Sequence, residues 1–185
     1  MILKDEFVVI VDESGIPTGK ICAKNVAHKK GHLHPTVHIW IITPKGKVLV
    51  QQRSFKKDTF PGLWDVSVAG HISAGETPLI SALREIEEEI GLKVHEKELT
   101  YIGFKIGYHK HSDKLTDNEL HHIYLLKKDV TLSNLKIQEE EVSAIKFIDL
   151  NLFEKELNDG KKQYVPHGKE YYQFILKSIA NLLKS

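Results

Sequence analysis

The chain has 185 residues and a formal net charge of +1, with charges of both signs spread along its length. It can bury a real core, and it has neither a basic stripe for nucleic acid nor an acidic tail for a basic partner. Its one cysteine, Cys22, excludes an intramolecular disulfide framework, and no apolar run approaches the roughly 20 residues of a membrane span, so a cytoplasmic protein without a membrane partner is expected.

In chain order, residues 7–11 read as a strand closed by the turn Asp12-Glu13-Ser14-Gly15, and a second turn follows at residues 17–19. Residues 21–34 carry Lys24, His28, His32 and His34 in a pattern too weak for helix or strand, so an irregular segment is expected there. Residues 36–43 are β-branched and aromatic, residues 44–46 turn the chain, and residues 47–53 alternate well enough to return as an antiparallel hairpin. A loop ending in Phe60-Pro61-Gly62-Leu63-Trp64, with Trp64 expected in the core, leads into a strand over residues 65–69.

Downstream, strands are expected at residues 99–108, 119–127 and 142–148, with a polar loop over 109–118. Helices are expected at 151–158 and 169–183, the second with Tyr172, Ile175, Ile179 and Leu182 on one stripe. Strands that are not regularly interleaved with helices predict a single α+β domain over residues 1–185, with a mixed sheet between helices. His32, His38, His95, His109, His111 and His167, each isolated in its stretch, are expected at the surface.

The segment from Gly70 to Leu92 organises the rest. Gly70 is followed after five residues by Glu76, and after seven more by Arg84-Glu85-Ile86, Glu88-Glu89, Gly91 and Leu92. Thr77 suits an N-cap, Pro78 the first helical position and Gly91 a left-handed residue past the helix end. Leu79, Ala82, Leu83, Ile86 and Ile90 give the helix an apolar face. The opposite face is acidic, and the Glu85 and Glu89 pair alone costs about 0.2 to 0.5 kcal/mol on an exposed helix. Glu87, Glu88 and Glu89 also crowd the negative end of the helix dipole. A divalent cation would reverse the sign of that arrangement, and hard oxygen ligands suit Mg2+ or Mn2+.

The spacing of Gly70, Glu76, Arg84, Glu85, Glu88, Glu89 and Gly91 resembles the signature of the Nudix hydrolase family at every position. The resemblance implies an α/β/α sandwich with a mixed sheet, and metal held by Glu76, Glu85, Glu88, Glu89 and the Gly70 carbonyl. Outside the motif, Asp12-Glu13-x-Gly15, Ala27-His28, His34, Trp40, Arg53, the Phe60-to-Asp65 run, His71 and Asn118-Glu119 resemble the type 1 isopentenyl-diphosphate isomerase branch. That likeness covers roughly residues 5–150 and implies a metal set of His28, His34, His71, Asp117 and Glu119, with Lys24, Arg53 and Lys57 on the substrate diphosphate.

One departure bears on the reaction. The isomerase branch needs a cysteine just before the Gly-His pair, and this chain has Ala69, which cannot move a proton. The expected activity is therefore Mg2+- or Mn2+-dependent hydrolysis of a small-molecule diphosphate, either a nucleoside diphosphate derivative or a prenyl diphosphate. Arg84 would orient a glutamate, and Glu85 or Glu119 would take the proton from water. The alternative is isopentenyl-diphosphate isomerisation, and a homodimer is left open.

Overall fold

The computed structural model describes residues 6–184. The first two strands, β1 (Phe7–Val11) and β2 (Pro17–Ala23), form a separate antiparallel pair. A short helix follows, α1 (Lys24–Lys30), ended by Gly31 in the left-handed region at φ 63°. The segment expected to be irregular is thus the end of β2 and then α1. Only Ala27 of this helix is buried, so it has no apolar stripe to advertise.

The main sheet has seven strands: β3 (His34–Ile42), β4 (Lys47–Arg53), β5 (Trp64–Asp65), β6 (Val68–His71), β7 (Leu99–Ser112), β8 (Leu115–Lys127) and β9 (Val142–Asp149). It is mixed, because β3 runs parallel to β8 while the other pairings are antiparallel. The expected hairpin of β3 with β4 narrows to one residue pair, Ile42 with Val48. Most of β4 pairs instead with β9, and β6 takes the edge of β3 from Thr36 to Ile39. Ser67 fills the resulting split: its hydroxyl donates to Leu49 O at 2.6 Å and accepts from Ile41 N at 2.8 Å.

β3 is buried along its whole length, and its two faces build two cores. Val37, Ile39 and Ile41 pack with Ala82, Ile86 and Ile90 of helix α2 (Pro78–Ile90). Trp40 and Ile42 pack with Phe153 of α3 (Leu150–Asn158) and with Tyr171, Ile175 and Ile179 of α4 (Lys169–Lys184). A sheet layered between helices is the expected α+β sandwich. α2 begins and ends as its sequence dictates, with Thr77 Oγ1 accepting from Ile80 N and Gly91 at φ 67°.

The expected loop over residues 109–118 is a correction. β7 and β8 continue as a paired ladder to Ser112 and Leu115 and turn only at Asp113-Lys114. Lysines and histidines on this projecting hairpin erase the apolar alternation that marks a half-buried strand.

Candidate active site

The period of two along the central strands decides where the chemistry lies. His34, Thr36 and His38 share the face of β3 that farther along carries Trp40 and Ile42. In parallel register, His34 lies opposite Glu119 and Thr36 opposite His121 on β8. In antiparallel register, Thr36 lies opposite His71 and His38 opposite Ala69 on β6. One end of a core-facing sheet surface is therefore paved with imidazoles and a carboxylate. All of these but His34 line a cleft of about 890 Å³, to which Glu76, Glu85, Glu88 and Glu89 also contribute.

The acidic side is built around Arg84. Its guanidinium donates to Glu76 at 3.0 Å, Glu85 at 2.7 Å, Glu88 at 2.9 Å and the His71 carbonyl at 3.0 Å. Glu85 and Glu89 are buried rather than solvated. Burial pushes the Glu85 carboxyl up to about 7 against the opposing pull of Arg84. Burial, reinforced by Glu85, raises Glu89 well above the usual range. Glu89 accepts from Gln51 Nε2 at 3.2 Å and Ala69 N at 3.4 Å. Gly70 has to be glycine for a packing reason, since a Cβ there would lie 2.0 Å from Cδ of Glu85.

The histidine side gathers α1, β3, β6 and β8. His28 Nε2 and His71 Nε2 are 3.1 Å apart, and the His34 and His71 rings stack at 5.3 Å. Glu119 Oε1 lies 3.5 Å from His71 Nε2 and 3.9 Å from His34 Nε2. His28 Nδ1 lies 3.0 Å from Asp117 Oδ1. Burial would raise the Glu119 pKa, but His71 and its neighbours hold it well below the carboxylate range. Burial lowers His34 to about 4, which keeps it neutral.

Both groups of residues fit a metal. Two imidazole nitrogens 3.1 Å apart with a carboxylate beside them suit one ion between them, and the buried His34 Nε2 makes no hydrogen bond among the described residues. Likewise, the buried Glu85 and Glu89, with Glu76 and Glu88 on the same cleft, form an oxygen-rich set suited to Mg2+ or Mn2+.

Each of the expected site residues lines this cleft, except His34, which sits behind His28 and His71. The three basic residues expected on the diphosphate all have protein partners. Lys24 pairs with Glu6 and Lys57 with Glu141. Arg53 donates to Asp65 Oδ2 at 3.1 Å and to the Thr59 carbonyl and hydroxyl at 3.0 Å each. Arg53 thus braces the loop that holds Phe60 in a left-handed conformation at φ 49°, the one such non-glycine among the described residues.

Two histidines expected at the surface are buried or nearly so. His38 is 3% exposed, and His167 keeps 9% of its side-chain exposure, hydrogen-bonded through Nε2 to Asp65 Oδ1 at 2.7 Å. His38 was legible as the third member of His34-x-Thr36-x-His38 on one strand face. His167, in the turn before α4, carried no such signal. His109 and His111 are half-buried against the edge of Phe60, at 5.1 and 4.8 Å. Trp64 is half-buried at the rim of the α4-side core, with Lys146 Nζ 3.9 Å above its ring.

A NUDIX domain model matches residues 32–168. Nudix hydrolase 3 of Arabidopsis thaliana is 36% identical over 169 residues, 89% of this chain but 22% of that protein, so the chain spans about a fifth of that relative's length. An uncharacterized Nudix hydrolase of Clostridium acetobutylicum is 31% identical, with 96% of this chain and 98% of that protein covered. An isopentenyl-diphosphate Delta-isomerase of Escherichia coli is 30% identical over 151 residues, 80% of this chain and 79% of that protein. Among solved structures, DR0079 of Deinococcus radiodurans has a TM-score of 0.66 at 18% identity, covering 95% of this chain and 98% of that one. With the full motif gathered on one cleft, the chain belongs to the Nudix hydrolase family, in the branch that resembles the isopentenyl-diphosphate isomerases.

Proposed function

We propose that this chain is a Mg2+- or Mn2+-dependent hydrolase of a diphosphate linked to a polar organic group, a nucleoside diphosphate derivative rather than a prenyl diphosphate. The observation that carries the reading is the buried pair Glu85 and Glu89, Glu85 set against Gly70 and Arg84 and Glu89 against the Ala69 amide. Two buried carboxyl groups sharing one small space are costly without a cation, and Ala69 has no proton to give an isomerase.

Glu76, Glu85, Glu88, Glu89 and the Gly70 carbonyl would hold the divalent ions, which would supply charge neutralisation for the diphosphate and activation of water. Arg84 fixes the direction of three carboxylates at once, so its own part is positioning. Of the two bases expected from the sequence, Glu85 is the better suited. It stands with Glu76 and Glu88 around Arg84, on the side that would hold the metal, while Glu119 is engaged by His34, His71 and His121 on the histidine side. Lys24, Lys57 and Arg53 line the mouth, where the incoming diphosphate competes with their present carboxylate partners.

The polar lining supports the nucleoside branch. Beyond Ala69 the cleft wall is His38, His121, His167 and Asp65. A hydrocarbon tail there would strip water from the imidazole nitrogens that have no protein partner, a cost of about 1 to 3 kcal/mol per group. The test is phosphate release from nucleoside diphosphate derivatives and from isopentenyl diphosphate, with Mg2+ and Mn2+. Turnover of the nucleotides over the prenyl compound is expected. Preference for the prenyl compound, or its isomerisation seen by proton NMR, would overturn the proposal.

A further inference from the structure

The wall of the cleft beyond Ala69 has a structure of its own. His38 and His121 stack face to face with ring centroids 3.9 Å apart and planes within 19°, and the edge of His167 closes on His38 at 5.1 Å. One ligating nitrogen from each of the three lies within 4.8 Å of the others. A metal is the obvious occupant of three imidazoles, but the geometry opposes it. Stacked parallel rings point their in-plane lone pairs side by side instead of toward one point.

The tautomers can be followed from the partners. Tyr171 Oη accepts from Trp40 Nε1 at 3.2 Å and its own hydrogen goes to His38 Nδ1 at 2.7 Å, which puts the His38 proton on Nε2 as a donor. His121 Nδ1 is held by Thr36 Oγ1 at 2.8 Å, which leaves Nε2 as the nitrogen free to meet a ligand. That Nε2 is left uncovered by Gly107, where a Cβ would lie 2.5 Å from it. His167 donates from Nε2 to Asp65 Oδ1, and its Nδ1 has no hydrogen-bond partner among the described residues.

Asp65 is fully used. It accepts from Arg53 NH1, His167 Nε2 and Val66 N, so its charge is matched within the protein. The wall therefore presents three imidazole nitrogens within a few ångströms, each able to donate or accept. A hydroxyl group both donates and accepts from one atom, and a pair of them satisfies all three nitrogens.

We infer that His38, His121 and His167 form a specificity subsite that reads the hydroxyl groups of an organic moiety on the diphosphate. Asp65, Thr36 and Tyr171 are positioning residues that hold the three rings, and Gly107 keeps Nε2 of His121 open. This rests on the proposed hydrolysis of a diphosphate at the adjoining carboxylates, and it adds what the other end of the substrate must carry. The cleft volume of about 890 Å³ has room for a diphosphate and a sugar-sized group together.

The test is a ratio. The full-length protein with Mg2+ is given two substrates with the same nucleoside diphosphate, one linked to a hexose and the other to a cyclohexyl group of similar size without hydroxyls. A site that hydrogen-bonds a hydroxyl strongly rejects an analogue lacking it, so the wild type should favour the hexose by about 10^2 or more in kcat/KM. His167→Ala and His121→Gln should bring that preference to within about tenfold. The ratio cancels any loss of active protein, so a partly misfolded variant still reports. A wild type with no preference, or a preference that survives in both variants, overturns this inference. A wild type that hydrolyses no diphosphate at all overturns the hydrolase reading instead.

Discussion

Gly70 and Glu85 compete for one volume: a methyl group on Gly70 would lie 2.0 Å from the carboxyl carbon of Glu85. The strand before the motif helix and the helix itself touch at this point, so the glycine of the signature is a steric condition on the glutamate 15 positions later. Gly70→Ala should push Glu85 out of line. The expected result is a fall in kcat of about 10^2 with a stability loss of about 1 to 3 kcal/mol, read from initial rates and urea unfolding. Unchanged kcat would mean that Glu85 works from a different position.

Glu89 is buried, and burial raises its pKa. Glu89→Gln replaces a buried acid by a neutral isostere that can still accept from Gln51 and Ala69. Metal-dependent turnover should be lost while the metal-free protein melts no lower than wild type. A variant of near wild-type activity would remove Glu89 from the site.

Glu85 gives a pH signature. Its folded pKa, about 7, lies above its unfolded value of 4.5, so ionisation favours the unfolded chain. The stability it contributes is complete below pH 4.5 and is lost as pH rises toward 7. In the metal-free protein, Glu85→Gln should therefore gain on wild type by about 3 kcal/mol across that window, followed by denaturant unfolding at fixed pH values. A pH-independent difference would contradict the burial of the charge.

His121 has the opposite sign. Burial holds its pKa near 4 in the folded state against 6.5 unfolded, so protonation favours the unfolded chain. Its contribution is complete above pH 6.5 and is lost as pH falls toward 4. His121→Gln should make stability less acid-sensitive over pH 6.5 to 4, measured by thermal unfolding. Equal sensitivity in the two proteins would refute this.

Lys57 and Lys24 separate binding from folding. Their pairs with Glu141 and Glu6 are partly exposed, and such pairs contribute about 0 to 1 kcal/mol. Lys57→Ala should leave unfolding almost unchanged and raise KM about tenfold, whereas Glu141→Gln should leave stability alone without raising KM. If both variants behave alike, Lys57 has only its structural partner.

The sequence by itself determined the motif helix, its caps, most of the strands and the carboxylates and histidines that the fold brings to one cleft. These signals are local: cap residues, a 3.6-residue period and a fixed spacing from Gly70 to Gly91 are all read within one stretch of chain. Only the tertiary structure decided what pairs across the sheet. His34, Thr36 and His38 look like an interrupted apolar strand until the parallel register sets them beside Glu119 and His121, and the antiparallel one beside His71 and Ala69. Burial was equally invisible. Glu85 and Glu89 read as part of an acidic, metal-suited helix face with nothing to say that they are enclosed, and the space for Glu85 depends on a missing side chain at Gly70 on the neighbouring strand. His167 reaches the cleft because buried Asp65, on β5, binds it from 102 positions away, a contact that no periodicity within either segment encodes.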